Sequence, residues 1–184
     1  MPVGGGEPRR LATSYDYGGR YSPDSKRIAF FAPPEVEGHS RMTCIVIPAS
    51  GGEPLATLSL PPHAHDFRWT PDGRALTFIS DKEGVHNVLR QPIAGAEPQA
   101  LTSFGDGQID SHAWLPKVDR LVLTRRSGQQ TNLWIVAADG RDPVALTDFV
   151  AGSVFEMEPT PDGKNVVFTY GNESLDVALI RGFR

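Results

Sequence analysis

Cysteine is nearly absent from this sequence. Cys44 is the only one among 184 residues, so no internal disulfide can form. It lies in the apolar run Met42-Thr43-Cys44-Ile45-Val46-Ile47, where a thiol packs as a small hydrophobe. No apolar run approaches the roughly 20 residues that a membrane-crossing helix needs. The stretch Met1 to Arg10 lacks the charged-then-apolar order of a secretion signal. Basic clusters are missing too. The formal charge is -4, and Arg9-Arg10 and Arg125-Arg126 are isolated pairs, so the electrostatic footprint of a nucleic-acid binder is not there. There is no glycine-rich phosphate loop, and Asp148-Phe149-Val150 ends in valine where the kinase metal-binding motif needs glycine, which excludes kinase chemistry. Gly38-His39-Ser40-Arg41-Met42 lacks the last glycine of a nucleophile elbow and sits in a polar, Pro-rich loop.

Turn formers are what the chain has in quantity. Its 19 Gly and 16 Pro approach a fifth of all residues, which favours short strands over long helices. The turn residues also recur at a fixed interval. Trp69-Thr70-Pro71-Asp72-Gly73-Arg74 has relatives in Tyr21-Ser22-Pro23-Asp24-Ser25-Lys26, Trp114-Leu115-Pro116-Lys117-Val118-Asp119-Arg120 and Pro159-Thr160-Pro161-Asp162-Gly163-Lys164, with the prolines 48, 45 and 45 residues apart. A second marker keeps the same phase: Gly5-Gly6-Glu7-Pro8, Gly51-Gly52-Glu53-Pro54, Gly95-Ala96-Glu97-Pro98 and Gly140-Arg141-Asp142-Pro143.

Each repeat reads as β throughout. An aromatic-bearing strand precedes the Pro turn, and a β-rich run follows it: Arg27 to Phe31, Ala75 to Ile79, Arg120 to Thr124, Asn165 to Thr169. A third run comes after a polar loop (Met42 to Ile47, Asn87 to Ile93, Asn132 to Ala137, Asp176 to Ile180), and a short edge strand follows the Gly-x-Glu-Pro turn. Four strands at a period near 45 predict an all-β protein, a β-propeller of four-stranded antiparallel blades, with four blades in this chain. The expected layout is one domain over 1–184, with 1–13 an outer strand completing a blade, 14–60 blade 1, 61–104 blade 2, 105–150 blade 3 and 151–184 a three-stranded blade 4. Trp69, Trp114 and Tyr21 are expected to fill the wedges between neighbouring sheets, with Trp134 doing similar work from a third strand. The turns of blades 3 and 4 are expected to be distorted, because Lys117-Val118-Asp119 replaces Asp-Gly and Pro159 replaces the aromatic.

The stretches "YSPDSKRIAF", "TPDGRALTF", "TPDGKNVVF", "NLWIVAADGRDPVALTDF" and "GGGEPRRLA" resemble the TolB-type propeller repeats of bacteria over nearly the whole chain. "NVLRQPIAGAEPQALTSF" and the terminal "SLDVALIRGFR" are similar to blades at the C-terminal end of larger bacterial proteins, including serine/threonine kinases and winged-helix regulators. The resemblance implies a non-catalytic scaffold for protein or ligand contacts, part of a larger sensing or signalling architecture, in the periplasm or another extracytoplasmic place. The hydrolase domain that accompanies propellers in prolyl-oligopeptidase-type enzymes has no counterpart in the sequence.

TolB-like propellers usually have six or more blades, and the ends of this chain complement each other. Gly4 to Thr13 reads as an outer strand without a blade, and Phe155 to Arg184 as three strands without an outer one. Three closures follow: a homodimer sharing an eight-bladed ring, a fragment of a larger propeller, or a compact four-bladed ring.

The innermost strands border the central channel, and five or six residues before each Pro stand His65 and Asp66, Asp110 and Ser111, and Phe155 and Glu156. His63, His112, Asp16 and Glu158 are near them in sequence. A polar ligand site at the channel mouth would use His63, His65, Asp66, Asp110, His112, Glu156 and Glu158. A divalent cation, the one cofactor this pattern suggests, would be held by His65, Asp66, Asp110 and Glu156, since a cation offsets the repulsion among converging carboxylates. The alternative to the scaffold is accordingly a metal-dependent propeller hydrolase of the lactonase or lyase kind. The insertion Ala32 to Arg41, which lengthens the first period, is a candidate contact loop.

Overall fold

The computed structural model describes residues 5–11, 17–32, 42–61 and 63–172. Among them no helix forms, and fourteen strands make four antiparallel sheets that follow one another along the chain. The first sheet runs β1 (Tyr17–Tyr21), β2 (Arg27–Ala32), β3 (Thr43–Pro48) and β4 (Ala56–Ser59), and the second β5 (His65–Trp69), β6 (Ala75–Lys82), β7 (Val85–Pro92) and β8 (Gln99–Ala100). The third contains β9 (Gln108–Trp114), β10 (Arg120–Ser127), β11 (Gln130–Ala137) and β12 (Val144–Ala145), and the fourth β13 (Ser153–Pro159) and β14 (Val166–Gly171). Strands pair in sequence order within every sheet, and β1, β5, β9 and β13 pack against one another in turn. This is the blade architecture expected from the period. The expected third run of blade 4, Asp176 to Ile180, lies outside the described residues, as do Asp16 and positions 33–41 of the insertion.

The Pro turn forms for a local reason. Ser22 Oγ donates to Asp24 Oδ1 (2.5 Å) and accepts from Arg27 N (3.0 Å), while Asp24 Oδ1 accepts from Lys26 N (3.1 Å). Thr70 with Asp72 and Thr160 with Asp162 repeat this network, so three turns satisfy their own backbone donors with side chains. The turn of blade 4 is therefore regular, contrary to expectation, because Thr160, Asp162 and Gly163 are all present and Pro159 stands outside the network. The turn of blade 3 departs as expected: Leu115 has no hydroxyl to offer, and Lys117 takes a positive φ of 63°.

Sheets are joined by apolar seams. Between the first two, Ala29, Phe31, Cys44, Val46 and Leu58 meet Phe67, Trp69, Leu76 and Phe78. Ile79, Val88 and Leu101 meet Ile109, Leu121, Leu123 and Val136 at the second seam, and Val122 and Leu133 meet Val154 and Met157 at the third. Trp69 fills its wedge as expected, with Nε1 donating to Arg20 O across the seam (3.0 Å) and the Arg27 guanidinium 5.0 Å from the ring centre. Tyr21 does not. It is 61% exposed, because no inner strand precedes β1 among the described residues.

Residues 5–11 form no strand, which departs from the expected outer strand. They nonetheless lie where such a strand would. Leu11 packs on Ile28, Phe30 and Ile47 at the back of the first sheet, and a Cβ at Gly51 would meet the Leu11 side chain at 3.4 Å. One blade pair further on, a Cβ at Gly140 would sit 1.7 Å from Leu101 O, and Leu101 directly follows the outer strand β8. Both glycines admit the same incoming segment.

Candidate functional site

Each first strand carries a break in register near its start, between Tyr17 and Arg20, His65 and Arg68, and Val154 and Glu156, and opposite Thr124 in the third sheet. In the third and fourth sheets a threonine satisfies the bulged N–H groups: Thr124 Oγ1 accepts from Ser111 N (3.0 Å), and Thr169 Oγ1 from Glu156 N (3.2 Å). The second sheet has Ile79 at that place, and Asp66 there adopts a φ of +46°. Its carboxylate turns into the seam with the third sheet, where Oδ2 accepts from His112 N (2.7 Å) and His112 Nδ1–H (3.0 Å) and Oδ1 pairs with Arg68 (2.6 Å).

His112 is fully buried. With Nδ1–H given to Asp66, its Nε2 accepts from the Thr77 hydroxyl (2.8 Å), and Thr77 Oγ1 in turn accepts from Trp114 Nε1 (3.1 Å). Burial pushes the His112 pKa below its ordinary value, against the pull of Asp66, so the imidazole is neutral. Burial works against ionisation of Asp66, but the His112 hydrogen bonds and Arg68 outweigh it and hold the carboxyl below its usual range. Thr77, His112 and Asp66 stand in the order hydroxyl, base, acid of a nucleophilic triad. No substrate can reach this hydroxyl: Thr77 is wholly enclosed, and its oxygen is occupied by the Trp114 indole. The chain of bonds holds two sheets together.

The repeat shows what this network replaces. His112 occupies the column of Phe67 and Met157, and Thr77 that of Ala29 and Val122. Two seams are closed there by apolar pairs and one by a polar pair. That contrast was readable once the columns were aligned, yet reasoning from the channel alone missed Thr77.

The remaining candidates separate. His63 is exposed and its carbonyl accepts from His65 Nδ1 (3.0 Å), while the His65 and His86 rings meet edge to face at 5.5 Å. His86 Nδ1 donates to Ile109 O (2.9 Å), tying β7 to the next blade. Asp110 pairs with Arg126 at the surface (3.2 Å). Glu156 and Glu158 line grooves on the inner strands. Among the described residues no three His, Cys, Asp or Glu side chains lie close enough to hold a metal ion. The expected convergence of His65, Asp66, Asp110 and Glu156 on one cation is thus not present: the bulge sends Asp66 into a seam, and Asp110 is spent on Arg126.

What the inner strands do build is a groove of about 470 Å³, lined from all four by Arg20 and Tyr21, Arg68 and Trp69, Trp114, and Glu158 and Pro159. A neighbouring hollow of about 360 Å³ shares Arg68 and Glu158 and adds Ser111, Phe155 and Glu156. The Arg68 pKa is lowered by burial, against the attraction of Asp66, and Arg20 and Glu158 are close enough to act on it. The surface is polar, mixed in charge and rimmed by aromatic rings.

No protein-family model matches the chain. It is 28% identical over 148 residues to the uncharacterized protein Atu1656 of Agrobacterium fabrum, covering 80% of this chain and 48% of that protein. To the uncharacterized peptidase YuxL of Bacillus subtilis it is 26% identical over 158 residues, 80% of this chain and 22% of that protein. The chain thus spans about half the length of the first relative and under a quarter of the second. Among solved structures it is similar to a provisionally assigned TolB of Agrobacterium tumefaciens (TM-score 0.66, 24% identity, 83% of this chain and 53% of that one). A provisionally assigned dipeptidyl aminopeptidase IV from Bacteroides ovatus follows (TM-score 0.61, 13% identity, 85% of this chain and 26% of that one). The hydrazine synthase of Kuenenia stuttgartiensis is similar as well (TM-score 0.60, 18% identity, 84% of this chain and 49% of that one). At these identities the likeness is one of architecture, and proteins with such different names share it. The chain shares its blade architecture with the TolB-like β-propellers.

Proposed function

We propose that the protein is a non-catalytic propeller scaffold that binds a polar protein segment or small ligand in the groove along its inner strands. The observation that carries this reading is the groove itself, where two arginines, one glutamate and three aromatic residues from four strands face one cavity. Such a surface offers hydrogen bonding, charge and flat apolar contact, which suits recognition. The Thr77–His112–Asp66 chain, enclosed between two sheets, is read as part of the scaffold that holds this groove in shape.

The test is fluorescence anisotropy with labelled ten-residue peptides of systematically varied charge, alongside turnover assays on peptide, ester and lactone substrates. Saturable binding that weakens in Arg20→Ser, without turnover, is the expected result. Turnover that survives chelator and disappears on mutation of a groove residue would overturn it. A second reading, the propeller portion of a larger peptidase, is favoured by the likeness to YuxL, and peptide cleavage in the same assay would support it.

A further inference from the structure

The repeat lets every exposed seam position be compared with its buried counterparts. Val167 on β14 stands in the column of Ala29, Thr77 and Val122, each fully buried, yet it is 65% exposed. Thr169, in the column of Phe31, Ile79 and Thr124, is exposed as well, while those three are buried. In every other sheet this face receives the next sheet. At the opposite end of the array Tyr21, in the column of Trp69 and Trp114, is left open too. The two open surfaces belong to one kind of seam.

We propose that a second copy of this chain fills both, two half-rings joining head to tail so that the Val167 face of each receives the β1 edge of its partner. Three features fit this occupant. The filler column that supplies Phe67, His112 and Met157 holds Gly19 on β1, where an added Cβ would just touch Ile28 at 3.8 Å, and at the neighbouring Gly18 it would meet nothing. Phe155 on the opposite end sheet is 51% exposed, an aromatic ring in the column of Tyr17, His65 and Asp110. The join thus sets a glycine-bearing edge against a sheet with an exposed ring.

Charge is complementary as well. The inner-strand column Arg20, Arg68, Ala113 and Glu158 ends in opposite signs, so the join sets Arg20 of one copy beside Glu158 of the other. Lastly, residues 5–11 already lie behind the first sheet as the outer edge of a preceding blade, and the fourth sheet shows no outer strand among the described residues.

Size-exclusion chromatography with light scattering tests this directly. Wild type is expected at twice the chain mass of 20.0 kDa. Val167→Asp is expected at the single-chain mass with its β circular dichroism unchanged. Arg20→Glu and Glu158→Arg each place like charges across the join and are expected to weaken association about tenfold or more, and the double swap to restore it. Wild type at the single-chain mass across the concentration range, or a double swap no tighter than either single one, would overturn the proposal, as would any assembly other than a dimer.

Discussion

Replacing Thr77 by Val and His112 by Met, alone and together, tests the polar seam most directly. The double variant copies the apolar pair that Val122 and Met157 form at the next seam. Thr77→Val alone strips His112 Nε2 of its donor and Trp114 Nε1 of its acceptor, leaving two buried polar atoms unmet. At about 1–3 kcal/mol for each unsatisfied group, a loss near 3 kcal/mol is expected. His112→Met alone removes the hydrogen bond from Nδ1 to an ionised Asp66, about 1.5–3 kcal/mol, although Asp66 keeps the backbone N–H of residue 112 and Arg68. In the double variant the orphaned Nε2 no longer exists and only the indole N–H stays unmet, so the total falls about 2 kcal/mol short of the sum of the singles. Urea unfolding followed by circular dichroism, with slopes compared to confirm the same buried surface, measures all four species. Losses that add to within about 0.5 kcal/mol would refute the idea that Thr77 and His112 act as one unit.

The same network sets a pH response. His112 titrates below its ordinary 6.5 when folded, so the unfolded chain binds more protons beneath that value and stability falls as pH drops below 6.5, with a second loss below 3.8 as Asp66 takes up its proton. Melting temperature against pH is expected to show the first decline in wild type and to lack it in His112→Met. Cys44, with its thiol pushed up to about 12 by burial, is expected to react with a disulfide reagent only as fast as the protein opens, and rapid labelling of the native protein would contradict its packing. Gly140 and Gly84 share a φ of +82°, but a Cβ at Gly140 would strike Leu101 O and one at Gly84 would meet nothing. Alanine at 84 is therefore expected to cost about 1 kcal/mol from backbone strain and at 140 at least about 2 kcal/mol more, and equal losses would show that the close approach is unimportant.

The parts of this structure that were legible in advance depend on neighbours in sequence. Thr70 and Asp72 close their turn with bonds spanning five residues at most, so the Pro-Asp-Gly signature announces the turn wherever it occurs. The ends of the second and third sheets were half visible: the short edge strand after the Gly-x-Glu-Pro turn was legible, but not that Asn87 and Asn132 each hold the threonine and phenylalanine beyond it through their Oδ1 atoms. Those partners lie 15 and 17 residues away. Asp66 was harder still. Sequence order placed it with His65 at the channel, whereas its bulged, left-handed backbone turns it toward a residue 46 positions on. Tyr21 was assigned a wedge because its column carries tryptophan elsewhere, and a column cannot reveal whether the neighbouring sheet is there to be wedged.

The unequal chemistry of the three seams bears on how a chain of near-identical units avoids being threaded out of order. Were every seam apolar, a sheet could dock one position early or late with little loss. The imidazole of His112 fits only opposite the Thr77 hydroxyl with the Asp66 carboxylate beside it, and against Ala29 or Val122 it would be entombed with a nitrogen unmet. One mismatched letter in the alphabet of the repeat thus works as a key, rejecting misassembled intermediates of the kind that tandem proteins form while they fold.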